Sequence, residues 1–340
     1  MTEKALRLGT RRSKLAMAQS RQVADAVSRV TGRPVELVEI TTYGDVSREH
    51  LAQIGGTGVF VAALREALLR GEIDFAVHSL KDLPTAPHDD LVVAAVPKRE
   101  DPRDVIVARD ALKLTELAAA SRSGVARIGT GAPRRMAQLN AYARAHDLRL
   151  ETVPIRGNVD TRIGYVRDGQ LDAVVLAAAG LHRIGRIDEA TDFLSVDTVL
   201  PAPGQGALAI ECGAGRDARD SALVAALGAL DDPLTRAAVT AERALLAALE
   251  AGCSAPVGAL ADLPPLSAPL ERGETRADER TVKEMRLRGV VGTTDGSTLV
   301  QLSTTATVPD THEAAQALGR ELATEMLARG AAGLMGERAL

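Results

Sequence analysis

LRLGTRRSKLAMAQ (residues 6–19) and ARIGTGAPRRMAQ (residues 126–138) are two versions of one pattern. In each, an apolar segment of strand character ends at Gly-Thr, a short turn follows, and Met-Ala-Gln lies on the helix beyond. RGEIDFAV (70–77) and DGQLDAVV (168–175) repeat in the same order, each with a helix-ending glycine and an aspartate near the start of a strand. Repeated strand, Gly-Thr turn and helix predict an α/β chain with two similar lobes, each on a mixed sheet.

The flanking sequence fits that plan. Ser13 suits the N-cap of a helix over 14–31 that Gly32 closes. VELVEI (35–40), IDFAVHS (73–79) and LVVAAVP (91–97) read as strands, and VFVAALREALLRG (59–71) reads as a helix. PKREDPRDV (97–105) and VLPAPGQGALAIE (199–211) carry the Pro and Gly of interlobe crossings, so the strand after the second would return to the first lobe. This gives a first lobe of 1–100 plus 203–222, a second of 105–198, and a cleft that can open and close between them. From 225 to 340 the texture changes to a smaller α+β domain. It has a long Ala/Leu helix after Asp232, strands in PVGALA, VKEMRLRGVVG and STLVQLSTTATV, and a closing helix over 311–329. The Pro-rich, charged stretch 263–280 reads as an exposed loop or disordered insertion.

At 340 residues, 46% hydrophobic and 25% charged, the composition is that of a soluble globular protein. No apolar run reaches the roughly 18–20 residues of a membrane span, and no secretory signal opens the chain, so a cytoplasmic protein without a membrane partner is expected. A net charge of −4 argues against nucleic acid as the main partner. Thirty-five of the 41 basic residues are arginine. Genome composition accounts for that ratio, but not for where the arginines stand. The only two cysteines, Cys212 and Cys253, have no His or Cys at ligand spacing, so neither a zinc site nor any other metal site is expected.

Strand-to-helix turns present free N–H groups and a positive dipole end to anions. In the first lobe that turn carries Arg11, Arg12, Ser13 and Lys14, with Gln19 nearby; in the second it carries Thr130, Gly131, Arg134 and Arg135. PIRGNVDTR (154–162) adds Arg156, Gly157 and Arg162, and AGLHRIG adds Arg183. Guanidinium forks bind carboxylates bidentately, so the set points to a ligand bearing many carboxylates or phosphates. In AVHSLKDLPT (76–85), Lys81 and Asp82 follow a strand end, where open sheets place ligands. Asp82 there is either an ordinary turn-capping residue or a carboxylate for charge and proton work. Cys212, closing ALAIEC, reads as a half-buried small hydrophobe. Cys253 stands in an exposed turn after Gly252, and taken alone is an inert thiol or one activated by arginines from elsewhere.

Taken together, LGTRRSKLAMAQ, TTYGDV, GGTGVFV, DFAVHSLKDLP, REDPRDV, GTGAPRRMAQL, RGNVDTR, LDAVVLAAAGLHRIG, LPAPGQGALAIEC and LEAGCSAPVGA resemble, in order, the hydroxymethylbilane synthase (porphobilinogen deaminase) family. The resemblance implies two periplasmic-binding-protein-like lobes plus the smaller third domain, and nothing in it demands more than a monomer. It also implies a transferase that joins four porphobilinogen molecules head to tail with loss of ammonia, on a dipyrromethane cofactor held by a cysteine thioether. The family's Gly-Cys-x-x-Pro motif places that thioether on Cys253 and leaves Cys212 out. Asp82 matches the catalytic aspartate. Lys81, Asp82, Thr130, Arg134, Arg135, Arg156, Gly157, Arg162 and Arg183 match cofactor contacts; Arg11, Ser13, Gln19, Arg156 and Arg162 match substrate contacts. Two departures stand out: GTGAPRR puts Gly131 and Ala132 where relatives often have serines, and Thr57 replaces a common lysine. The alternative is a two-lobed module that binds a small anion reversibly.

Overall fold

The computed structural model describes residues 4–40, 58–121, 124–215, 218–251, 255–262 and 284–335. The first lobe runs β1 (Leu6–Thr10), α1 (Lys14–Thr31), β2 (Val35–Glu39), α2 (Gly58–Leu69), β3 (Phe75–Ser79) and β4 (Leu91–Ala95). The second runs β5 (Asp104–Ala108), α3 (Leu114–Ala120), β6 (Ala126–Thr130), α4 (Pro133–Ala145), β7 (Leu150–Pro154), α5 (Val159–Arg167), β8 (Ala173–Ala177), α6 (Ala178–Arg183) and β9 (Asp192–Phe193). After the second crossing come β10 (Leu208–Gly213), α7 (Ala218–Gly228) and α8 (Pro233–Ala248). The chain then continues through β11 (Val257–Asp262), β12 (Glu284–Gly292), β13 (Leu299–Thr307) and α9 (His312–Ala328).

The two five-stranded sheets have one topology: β2-β1-β3-β10-β4 and β7-β6-β8-β5-β9. Three parallel strands are followed in each by an antiparallel one that has just crossed from the other lobe, β10 in the first and β5 in the second. The sequence repeat is thus a structural one. Leu8 and Gly9 pair with Phe75 and Ala76, and Ile128 and Gly129 pair with Ala173 and Val174. Asp74 accepts the Arg7 amide at 2.8 Å, and Asp172 accepts the Arg127 amide at 2.8 Å. The glycines of the two Gly-Thr pairs meet the same demand: a Cβ would lie 2.3 Å from Ile73 Cδ1 at Gly9 and 2.6 Å from Leu171 Cδ1 at Gly129.

Local chemistry sets the element ends. Ser13 caps α1 by accepting the Ala16 amide, and Gly32 closes it in the left-handed conformation. Asp232 caps α8 by accepting the Thr235 amide at 2.9 Å, a cap that contributes on the order of 1 kcal/mol. Leu8, Phe75 and Ile210 fill the first core, and Ile106, Ile128 and Leu139 the second. In the third domain, α8 and α9 cover one face of the antiparallel β11-β12-β13 sheet around Leu245, Leu287 and Met326. The 263–280 stretch lies outside the described residues.

The two crossings touch: Glu100 N–H donates to Gly206 O at 3.3 Å. Gly206 has φ +88°, and a Cβ there would sit 2.6 Å from Glu100 O, so only glycine suits that approach. Glu242 of α8, fully buried, holds both crossings to the third domain. Its carboxylate accepts from Arg99 Nη1 (2.6 Å) and Nη2 (3.0 Å) on the first crossing, Gly204 N (2.7 Å) on the second, and Ala261 N (2.8 Å) on β11.

Candidate active site between the lobes

β3 ends at Ser79, and a single tight turn, Leu80–Asp82, carries Lys81 and Asp82. Gln19, buried on α1, donates to Ser79 Oγ at 3.0 Å and so ties the first helix to that strand end. Arg11 is partly buried on the β1–α1 turn. Ser13 is spent on its capping bond. Lys14 reaches across to Asp160 of α5 at 2.9 Å, an exposed pair that adds little to stability but shows the lobes in contact.

The second lobe supplies the buried charge. Arg134 and Arg135 open α4 and are both 4% exposed. Asp104, fully buried at the start of β5, takes Arg134 Nη1 and Arg135 Nη2, each at 2.7 Å. Burial would raise the Asp104 carboxyl, but the two guanidiniums hold it far below the usual carboxylate range. Gln205, on the second crossing, completes the join. Its Nε2 donates to Asp104 Oδ1 (2.7 Å) and Pro102 O (2.8 Å), and its Oε1 accepts from Lys81 Nζ and Arg134 Nη2, each at 3.4 Å. First lobe, second lobe and crossing therefore meet at one amide.

This cluster is short of negative charge. Lys81 is coupled to Asp82, Arg135, Asp104 and Arg134, and burial outweighs the carboxylates to push its ammonium down to about 8. Burial, then Arg135, lowers Arg162. Lys81, Arg134 and Arg135 thus gather around two carboxylates, Asp82 and Asp104, and Arg162 adds a fourth cation beside Arg135. Arg135 Nε and Arg183 Nε are buried without a hydrogen-bond partner among the described residues. Desolvated cations that depress one another, with donors left over, fit a ligand carrying several carboxylates.

Other predicted residues are placed less centrally. Thr130 has no exposed surface, and its Oγ1 accepts the Ala132 amide at 3.2 Å, fixing the turn. Arg156 is exposed and makes no side-chain hydrogen bond or ion pair among the described residues. Gly157, at φ +112°, lets its carbonyl accept Arg162 Nε at 2.8 Å. Arg183 donates to Gly206 O at 2.7 Å. Cys253 and Thr57 lie outside the described residues. Cys212 is fully buried rather than half-buried, and burial, then Asp220 and Glu211, pushes its thiol up to about 12. A thiol so hard to ionise is a poor nucleophile. Among the described residues there is no group of His, Cys, Asp and Glu able to hold a metal.

Gly131 now has a physical reason. A Cβ there would stand 2.5 Å from Ile155 O, a backbone atom. Restoring the hydroxyl with Gly131→Ser is therefore expected to destabilise the protein by about 1–3 kcal/mol, read from the urea midpoint. An unchanged midpoint would mean that the turn accommodates the side chain.

The family model described as the dipyromethane cofactor binding domain of porphobilinogen deaminase matches residues 6–221, and the model of the C-terminal domain of porphobilinogen deaminase matches 236–328. The chain belongs to the porphobilinogen deaminase family. Porphobilinogen deaminase 1 of Streptomyces coelicolor is 80% identical over 339 residues, which cover 100% of each chain. Porphobilinogen deaminase of Thermobifida fusca is 55% identical over 334 residues, 97% of this chain and 96% of that one. Among solved structures, a VFT2 domain of Bordetella pertussis BvgS shares 16% identity over 66% of this chain and 85% of that one, with a TM-score of 0.37.

Reading the porphobilinogen deaminase motifs residue by residue left out four members of the network: Arg99, Asp104, Gln205 and Glu242. The signals of Arg99, Asp104 and Gln205 lay in PKREDPRDV and VLPAPGQGALAIE, where Pro and Gly draw attention to the hinge rather than to the polar residues between them, and Glu242 lay within the Ala/Leu helix α8.

Proposed function

We propose that this chain condenses four porphobilinogen molecules into the linear tetrapyrrole hydroxymethylbilane, with release of ammonia, on a dipyrromethane cofactor bound through the sulfur of Cys253. The observation that carries this reading is the cation excess where part-buried Lys81 meets the buried Arg134 and Arg135, with the Asp82 carboxylate beside it. Each pyrrole of such a chain bears an acetate and a propionate. Lys81, Asp82, Thr130, Arg134, Arg135, Arg156, Gly157, Arg162 and Arg183 are the residues that would hold the cofactor. Arg11, Ser13, Gln19, Arg156 and Arg162 would take the incoming porphobilinogen. When bound, the dipyrromethane supplies the terminal pyrrole to which the first substrate unit is joined.

The protein's own groups account for the rest. The guanidiniums are charged at any working pH, and Arg134 and Arg135 are fixed by Asp104 before the ligand arrives, so these two orient its carboxylates without reorganising. Asp82 presents its carboxylate where positive charge develops on a pyrrole nitrogen as ammonia leaves, and it can accept the proton lost at the end of a condensation. In a partly desolvated cleft that charge interaction is stronger than in water. The reading takes the protein as a monomer in the cytoplasm. No helix among the described residues is long and apolar enough to cross a membrane. Purified enzyme given porphobilinogen should release one ammonia per substrate consumed. Reversible binding without ammonia would favour a two-lobed binding module.

The Lys81 ammonium gives a pH test. Its folded value, about 8, lies below that of the unfolded chain, so its cost to stability is complete below pH 8 and is relieved as pH rises towards the usual lysine value. Ligand carboxylates beside it cancel that cost only while it is charged. The gap in melting temperature between loaded enzyme and Cys253→Ala should therefore be wider at about pH 7 than at about pH 9.5. Equal gaps would show that Lys81 does not meet the cofactor.

A further inference from the structure

Arg243 stands beside Glu242 on α8, in the third domain, yet its guanidinium reaches into the first lobe. Nη1 donates to Leu80 O at 3.1 Å and Leu83 O at 2.8 Å, and Nη2 donates to Pro84 O at 2.6 Å. Those carbonyls bracket Lys81 and Asp82 on both sides. The turn is also held from below: Leu80 N donates to Ala207 O at 3.0 Å, and Leu83 N donates to Leu80 O at 3.2 Å. Leu80 and Leu83 are each 2% exposed. The helix is itself immobilised one residue away, where the Glu242 carboxylate accepts its four hydrogen bonds from both crossings and β11.

From this we infer that Arg243 is a positioning residue for the condensation, a clamp by which the third domain fixes the Lys81–Asp82 turn; the inference rests on the role proposed for Asp82. A planar guanidinium suits the task because its fork can span carbonyls that lie at different points of a tight turn, which a single ammonium cannot do with fixed geometry. Without the clamp the turn keeps its fold through Ala207 and Leu80, but the Asp82 carboxylate loses its fixed place. Displacements of about 1 Å at a reacting group cost on the order of 100-fold in rate. Binding of substrate carboxylates falls to the arginines of the cleft and is left largely alone. The effect should therefore lie in kcat rather than KM.

The test uses the loaded full-length enzyme, with kinetics normalised to the fraction carrying cofactor by intact mass. Arg243→Ala is expected to lower kcat about 10- to 100-fold with KM within about twofold, and added guanidinium ion should restore part of the rate. Arg243→Lys should fall in between. In an Asp82→Asn background, Arg243→Ala should change the residual rate less than about twofold, because the group it positions has gone. Should Arg243→Ala prove too unstable to load, Arg243→Lys carries the same comparisons. A loaded Arg243 variant with wild-type kcat, or an equal loss in the Asp82→Asn background, overturns the inference while leaving Asp82 in place. Full turnover by Asp82→Asn alone overturns the Asp82 role and the inference with it.

Discussion

Asp82→Asn is expected to carry cofactor like the parent enzyme and to turn over at least about 100-fold more slowly. Asparagine keeps the size of the side chain and its place at the end of the Leu80–Asp82 turn, so neither the fold nor the arginine set should change. What is lost is a negative charge in a region of the cleft where cations are in excess. The same substitution removes a carboxylate that supports the Lys81 ammonium, so that group should ionise still less readily than at about 8. KM should move little, since the substrate carboxylates fall to the arginines and not to Asp82. A variant with near-parental kcat would leave Asp82 as a turn residue only.

The second large effect is expected at Asp104. This fully buried carboxylate is the shared partner of Arg134 and Arg135, and Gln205 donates to it as well. Asp104→Asn leaves two adjacent guanidiniums buried with no counter-charge, a change that costs about 3–5 kcal/mol in comparable sites. The loss should show in urea unfolding of the cofactor-free protein and should be smaller in loaded enzyme, where ligand carboxylates offset the missing charge. Equal losses would mean that the cofactor does not reach these arginines. The ion pair is also expected to persist into acid. With its folded value depressed, Asp104 contributes stability that is complete above the usual carboxylate range and is lost only as pH falls through that low value.

The fold was legible because its repeat is written in residue types with few substitutes. Gly9 and Gly129 leave no room for a Cβ, and Asp74 and Asp172 each hold a neighbouring strand's amide, so both halves show the same short signals. The helix over 14–31 was marked at both ends by Ser13 and Gly32. The site was legible in part. Arg134 and Arg135 stood out at a helix start, but nothing local says that their shared partner is Asp104, about 30 residues earlier on a crossing. Arg243 was hidden for the same reason: within α8 it reads as one more solvated arginine, and its three carbonyl partners lie some 160 residues away. Pairings between distant segments are set by topology, which short motifs do not encode.

The thiol assignment can be read directly by intact mass. Wild-type protein and Cys212→Ala, each exposed to porphobilinogen, should both weigh the polypeptide plus two porphobilinogen units less two molecules of ammonia, while Cys253→Ala should weigh the polypeptide alone. The added mass appearing on Cys253→Ala, or vanishing from Cys212→Ala, would contradict the account.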